Sequence, residues 1–598
     1  MSIEQHAAPS PSAAAPPATP TRALRLWPAV LMVAAYWVFV TVIGRTDREI
    51  YVIFLSSVAA SALLLLGFSG WWLTRRAVSI RERLIGFAAL WGGMIVAGLA
   101  SDPSVGVIGL AFVGVPIVIT VWLVWLAFAR GRSTDLRRFG SVALVLVVLS
   151  GFTLARVEGI DGQNHAELSW RWTPSKEDAY AAELAKIAPA KTDAAEAAAQ
   201  TVTLQEGDWP DYRGPDRLGE VHGVRIATDW NDSPPKELWR RPIGPAWSSV
   251  SIVDNRLFTQ EQRGDLETVV CLDPATGQEI WNHGDKARFS DGQAGAGPRA
   301  TPVFADGKIY SLGASGILNC LDAATGKLRW TRNIVTDSGA PLPMWGFSSS
   351  PLVIEDKVVV YAGGPNDKGL LAYRIDDGEP AWTVATGPAS YSSAQRVVLD
   401  GKPQILFLSD TGLIAVDPGT GAVQWKHDAA GAGSWRVVQP RQVSDASFLI
   451  GSEDLGLVRL DVSIANLGTD SQSWTPTARY TSRGIRPAYN DFVLLDGCIY
   501  GFDESIFCCV DLETGKRRWK AGRYGHGQVL LVADQPALVV LTESGEAVVV
   551  AANPDKHEEL GRFQAVEGKT WNHPVIAHGR LFTRNGEELA CFELKPAE

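Results

Sequence analysis

Four copies of one ten-residue phrase constrain this chain more than any other feature. They are LDPATGQEIW at 272–281, LDAATGKLRW at 321–330, VDPGTGAVQW at 416–425 and VDLETGKRRW at 510–519. Each reads as a strand end, a tight turn through Thr-Gly and a strand start, with glycine supplying the positive φ that the turn requires. From 234 onward the chain is a series of short apolar alternations separated by Gly, Asp and Asn turns, the pattern of an all-β fold. Aligning on the residue that ends each phrase gives Trp239, Trp281, Trp330, Trp382, Trp425, Trp474 and Trp519, with Phe563 in the same place, at spacings of 42–52 residues. Repeats of about 40–50 residues with four strands each are propeller blades.

Eight outer-strand positions imply eight blades. The first, KELWRRPIG (236–244), has no inner strands before it, and the stretch HPVIAHGRLFTRNGEELACFEL (573–594) supplies three strands and no outer one. Pairing 236–240 with 588–594 would complete one blade from both ends and leave the ring without an open edge.

The phrase resembles the A/C-x-D-x-x-T-G-x-x-x-W signature of the quinoprotein-type, or PQQ-repeat, β-propeller family, over about 210–598. VRLDVSIANLGTDSQSW carries an insertion, and VVAANPDKHEELGRF lacks the Thr-Gly turn. With its lead-in WPDYRGPDRLG (209–219), the chain looks like a bacterial group of membrane-anchored members. The resemblance extends to the propeller lipoprotein of the outer-membrane barrel assembly machine. In layout it also resembles membrane-bound quinoprotein glucose dehydrogenase, five spans followed by an eight-bladed propeller.

The first part of the chain has another character. Residues 1–21 are Ala/Pro/Ser low complexity, expected to be disordered. Apolar runs follow at 26–44, 50–73, 84–99, 105–128 and 139–154, the third and fifth short for a bilayer. Arg22 and Arg25 precede the first run, TRRAVSIRER follows the second and RGRSTDLRR the fourth, so alternation predicts five spans over 22–158. That places the N-terminus inside and the propeller on the periplasmic side of the inner membrane. The runs hold no ionisable groups away from their ends, which argues against an ion pathway. A linker at 159–205 brings Trp170 and Trp172, then Thr173 and Pro174 as the start of a short amphipathic helix, then an Ala-rich spacer, before the propeller over 206–598.

Function in propellers sits where inner strands begin around the axis. Those starts offer Arg299, Arg486, His526, Trp571, Asn572 and Trp247 as ligand-binding candidates and contain no Asp or Glu. A cationic, aromatic mouth suits an anionic or peptide-like ligand. A calcium-bound quinone needs oxygen ligands and a carboxylate base, so no cofactor and no metal site is expected. Catalytic residues are not identifiable from these starts. Cys508-Cys509 is expected to be structural, because Cys509 shares the small slot of Cys271, Cys320 and Cys591. The net charge of -10 excludes nucleic acid as a partner. The reading is therefore a membrane-anchored scaffold or binding module for envelope proteins or a small anionic ligand. The alternative implied by the resemblance is a PQQ- and calcium-dependent dehydrogenase passing electrons to quinone.

Overall fold

The computed structural model describes residues 24–45, 50–162, 166–186, 201–429, 435–466 and 472–597. The Ala/Pro/Ser tail and most of the Ala-rich spacer lie outside them. The chain divides into two compact units, Met1–Glu158 with Leu168–Thr173, and Gly159–Glu167 with Pro174–Glu598.

The first unit is helical. Four stretches, Val52–Thr74, Ile80–Ala100, Leu110–Phe128 and Thr134–Leu154, are long and apolar enough to cross a membrane. The third and fifth runs are longer than their apolar letters suggest, because each begins in the arginine loop before it. Ser79 caps one helix on Glu82 N–H and Ser133 caps the other on Leu136 N–H. The added turns carry a bidentate ion pair, Arg137 to Glu82 at 2.7 and 2.9 Å, with Glu82 buried. So these apolar helices do hold an ionisable pair, one turn in from their ends. The first run gives a helix of 17 residues, Trp27–Ile43, about 26 Å long at ~1.5 Å per residue.

The second unit is a propeller of eight four-stranded antiparallel meanders, the seventh extended by a parallel strand at Glu220–Val221. Blades 1 to 7 occupy 251–286, 303–333, 352–384, 395–428, 441–482, 493–523 and 528–564. Blade 8 takes three strands from 575–593 and its outer strand, Lys236–Pro242, from the other end of the propeller sequence, with Glu588 opposite Pro242 and Glu593 opposite Lys236. The ring closes as the two incomplete ends require.

The repeated phrase is a packing device between neighbours. Within a blade, Cys271, Cys320, Ala372, Ala415, Cys509 and Cys591 stand opposite Trp281, Trp330, Trp382, Trp425, Trp519 and Trp239, beside a bulge each time. The indole then reaches the following blade. Trp239, Trp281, Trp330, Trp382 and Trp519 donate to the carbonyls of Pro274, Ala323, Ile375, Pro418 and Asn553 at 2.8–3.0 Å. Gly326, at φ 69°, lies under Trp281 so closely that a Cβ would collide with the ring. The Thr-Gly of one blade and the tryptophan of the blade before it are thus a single contact.

Two assignments of the alignment change. In blade 5 the insertion shifts the register: Tyr480, opposite Arg459 at the bulge, takes the tryptophan's role and donates to Leu512 O at 2.8 Å. Trp474 stands opposite Ile464, further along the ribbon. In blade 7 the bulge puts Gly561 at the tryptophan register, and Phe563 sits two residues on. Trp230, from the segment before blade 8's outer strand, meets Phe563 edge to face at 5.3 Å. All six cysteines are free and buried. Burial holds the Cys508 thiol up at about 12, so it stays protonated and unreactive.

Candidate functional site

A meander of four strands sends the start of its first strand and the turn between its second and third strands to the same end of the ring. The candidate mouth therefore has two sets of residues, and only the first was visible as strand starts in the sequence. The second set brings the carboxylates. Asp454, Asp503, Glu504 and Glu543 all sit on or beside these second turns.

The mouth arginines are consequently paired. Arg436 donates to Asp454 at 2.6 Å. Arg486 meets Asp503 at 3.0 Å and Glu504 at 2.7 Å, in a cluster that also holds Arg517 and Lys520. Burial raises the Asp503 carboxyl, but Lys520 and Arg486 outweigh it and hold it below its usual range. Arg299 donates to Asp291 at 2.6 Å and to Gly295 O at 2.9 Å, and stacks over Phe289 at 4.6 Å. Its Nε and Nη1 are buried without a hydrogen-bond partner among the described residues. The expectation of a cationic mouth is corrected: its charges are largely neutralised where they stand.

The aromatic residues do converge. Trp247 and Trp571 lie 4.7 Å apart, Tyr489 is 4.9 Å from Trp571, and His526 stacks on Tyr489 at 4.6 Å. Lys569 Nζ lies 4.5 Å over Trp571 and 5.2 Å over Trp247. Trp571 donates to Glu543 Oε1 at 2.8 Å, and the His526 backbone N–H donates to Glu543 Oε2 at 3.0 Å. Burial lowers the pKa of His526 despite the nearby Glu543, so the imidazole is neutral near pH 7. A second cluster, Trp345, Tyr391 and Trp435, has ring separations of 4.5–5.7 Å. Asn572 belongs elsewhere: it is buried and donates to Ser248 O at 2.8 Å, joining blade 8 to blade 1.

The first aromatic cluster already holds a piece of the chain. Residues Ala155–Ile160 and Ala166–Trp170 pair as a two-stranded ribbon, where the sequence suggested only a linker. Its descending end, 159–162, enters the mouth. Gly162 N–H donates to Glu543 Oε1 at 2.7 Å, Lys569 Nζ donates to Ile160 O at 2.8 Å, and Ile160 N–H reaches Gln293 O at 3.5 Å. A Cβ on Gly162 would collide with His526 and lie 2.6 Å from the Tyr489 hydroxyl. The linker helix, Lys176–Leu184, starts at Ser175 in a capping box rather than at Thr173. It docks on the same rim: Tyr180 donates to the buried Glu261 at 2.9 Å, and Arg288 holds Glu177 at 2.8 Å.

The other end of the channel is filled by 209–221. Trp209 bridges Ile252 and stacks on His573 at 6.3 Å, and Pro210 O accepts from Phe304 N–H at 2.9 Å. Arg217 donates to Pro351 O and Ala394 O, Arg441 to Leu218 O and Arg213 to Phe492 O, while Glu220 pairs with Leu531. These partners lie in, or one or two residues before, the first strands of blades 1 to 8. The turn TESG and the lead-in WPDYRGPDRLG were on view in the sequence, but only the parity of the meander and the ring's closure say where they go.

The three aspartates that neighbour the strand starts in sequence all have protein partners. Asp291 is engaged by Arg299, Asp337 accepts from Tyr373 Oη at 2.8 Å, and Asp491 lies with Arg213 and Gln439 in the channel filling. Among the described residues no three His, Cys, Asp or Glu side chains are grouped to hold a metal ion.

Comparison with known proteins places the repeats. Residues 265–521 match the family described as "Outer membrane protein assembly factor BamB". The chain is 32% identical over 126 residues to quinohemoprotein alcohol dehydrogenase ADH IIB of Pseudomonas putida, covering 20% of this chain and 18% of that protein. It is 23% identical over 252 residues to tetrathionate hydrolase of Acidithiobacillus ferrooxidans, covering 40% and 47%. The matched segments thus span less than half of these relatives. Among solved structures, BamB from Moraxella catarrhalis is similar at 16% identity and a TM-score of 0.44, over 60% of this chain and 98% of that one. Quinohemoprotein alcohol dehydrogenase from Comamonas testosteroni is similar at 13% identity and a TM-score of 0.47, over 71% and 85%. The chain carries a PQQ-like repeat propeller.

Proposed function

We propose that this protein is a membrane-anchored binding module whose propeller, outside the inner membrane, receives a segment of another envelope protein in its mouth and works without a cofactor. One observation carries the reading: the mouth holds peptide backbone, with a carboxylate, an ammonium and a backbone carbonyl aimed at the N–H and C=O groups of 159–162. Aromatic walls with a few fixed polar groups suit a peptide plane. The unpartnered N–H groups of Arg299 add a handle for an anionic group. The alternation of arginine-rich loops supports the outside location.

Two measurements test this. Reporter fusions after Arg83, Arg138 and Glu598 should read inside, inside and outside, which requires the 17-residue helix Trp27–Ile43 to span as well. An inside signal at Glu598 overturns the location. Purified full-length protein given PQQ and Ca²⁺ should neither take up the quinone nor reduce a dye with alcohols or sugars. Turnover that depends on PQQ would replace the scaffold reading with the dehydrogenase.

A further inference from the structure

The contacts of the tip in the mouth define what the mouth accepts. Three hydrogen bonds there, from Gly162 N–H, to Ile160 O and from Ile160 N–H, involve tip backbone. Bonds of this kind read main chain rather than side chain. At one position the site tolerates no side chain, because a Cβ on Gly162 would meet His526, Tyr489 and Glu543 together. The receiving groups come from four separate connections of the ring: Gln293, Tyr489, His526 with Glu543 across its blade, and Lys569. Tyr489, His526 and Glu543 meet at Gly162, while Lys569 and Gln293 hold Ile160, and nothing in the packing of a propeller requires these connections to agree on one short segment. Burial lowers the pKa of Lys569, with Glu543 opposing, and its Nζ donates to Ile160 O.

Resting on the binding-module reading, we infer that residues 159–162 are a tethered ligand, and that the partner is a protein segment presenting a glycine-bearing turn that displaces them from Glu543, Lys569, Tyr489 and His526. The tip and the partner then compete for one site. With the tip seated, the mouth admits the partner only at the cost of breaking the three backbone bonds. With the tip withdrawn, the Trp247–Trp571–Tyr489 surface and the Glu543 carboxylate are offered outward. The arrangement makes the mouth self-occupied at rest.

The test uses the full-length protein in detergent micelles and a capped, fluorescently labelled hexapeptide of residues 157–162, Val-Glu-Gly-Ile-Asp-Gly. Gly162→Val removes the tip from its seat without altering the mouth. A second release variant replaces residues 159–162 with four serines, in case the first aggregates. Either release variant should bind the hexapeptide about ten- to a hundred-fold more tightly than wild type, the range of one charge-assisted contact. A hexapeptide with valine at its last position should bind neither. Adding Glu543→Ala to a release variant should abolish the gain. Equal affinity of wild type and both release variants, or indifference to the peptide's last residue, overturns the tethered ligand. That failure leaves the PQQ and topology results where they stand, so it is separable from failure of the binding-module reading itself.

Discussion

At one end of the propeller channel, 209–221 reaches residues of all eight blades, and Trp209, Arg213 and Arg217 are each no more than 3% exposed. At the other end, 159–162 is held by three backbone bonds to three positions of the rim. Both segments precede the ring in sequence, and both enter it. The difference lies in what each leaves behind on removal. Withdrawing the channel segment would take from Phe492 O, Ala394 O and Pro351 O the guanidinium donors of Arg213 and Arg217 in the ring's centre. Withdrawing the tip exposes rings and one carboxylate at a surface that water can reach. The first is a hub that the propeller cannot do without, and the second is a contact that can be exchanged.

The sharpest way to break this comparison is Arg217→Ala. It strips Asp211 of its bidentate partner and leaves Pro351 O and Ala394 O unpaired. Removing one member of a buried pair costs about 3–5 kcal/mol, read as a fall in denaturation free energy. A loss below about 1 kcal/mol would mean that the hub is no more essential than the tip.

Acid should sharpen the contrast. His573, beside Trp209, is pushed down to about 3, by burial first and then by Arg213. The unfolded chain binds this proton near pH 6.5, and the native state does not. Stability is therefore full above pH 6.5 and falls as the pH drops toward 3, by about 2 kcal/mol between pH 7 and 5. His573→Phe should flatten that slope in urea titrations. His526 at the mouth is also lowered, chiefly by burial, and contributes with the same sign.

A smaller effect is expected from Glu543→Gln, which keeps the shape but weakens the acceptor of Gly162, Trp571 and His526. The tip should open more often by about 1–2 kcal/mol, seen as faster hydrogen exchange at Gly162, while the melting point moves little. Unchanged exchange would make the tip as fixed as the hub. The smallest effect belongs to Arg486→Ala. Asp503 keeps Arg517 and Lys520, so stability should move by less than about 1 kcal/mol. Hexapeptide binding by the release variants should not move, because the arginine's donors are turned to Asp503 and Glu504 rather than to the tip.

The ring was legible because a propeller is built from neighbours in sequence. Each strand pairs with the next, so the spacing of Cys320, Gly326 and Trp330 already states a register that the structure repeats six times. Legibility failed where a local insertion moved the register without changing composition. Trp474 is the better sequence match in blade 5, yet Tyr480 stands at the bulge. The mouth was half legible. Trp247, His526, Trp571 and Arg299 lie at strand starts as read, whereas Glu543, Lys569 and Tyr489 needed the loops' path in space.

By itself the sequence determined the architecture: eight blades, a ring closed by its own ends, a helical region of apolar runs, and cysteines kept as small buried groups. These follow from short-range pattern, since period-two alternation, turn glycines and a repeated indole act over tens of residues. Only the tertiary structure decided that Gly162 meets Glu543 and that one segment ties all eight blades. Those contacts span 381 and up to 364 residues of chain between Gly162 and Glu543 and between Trp209 and His573. No local propensity records them, because they exist only after the ring has closed and set its loops around a common axis.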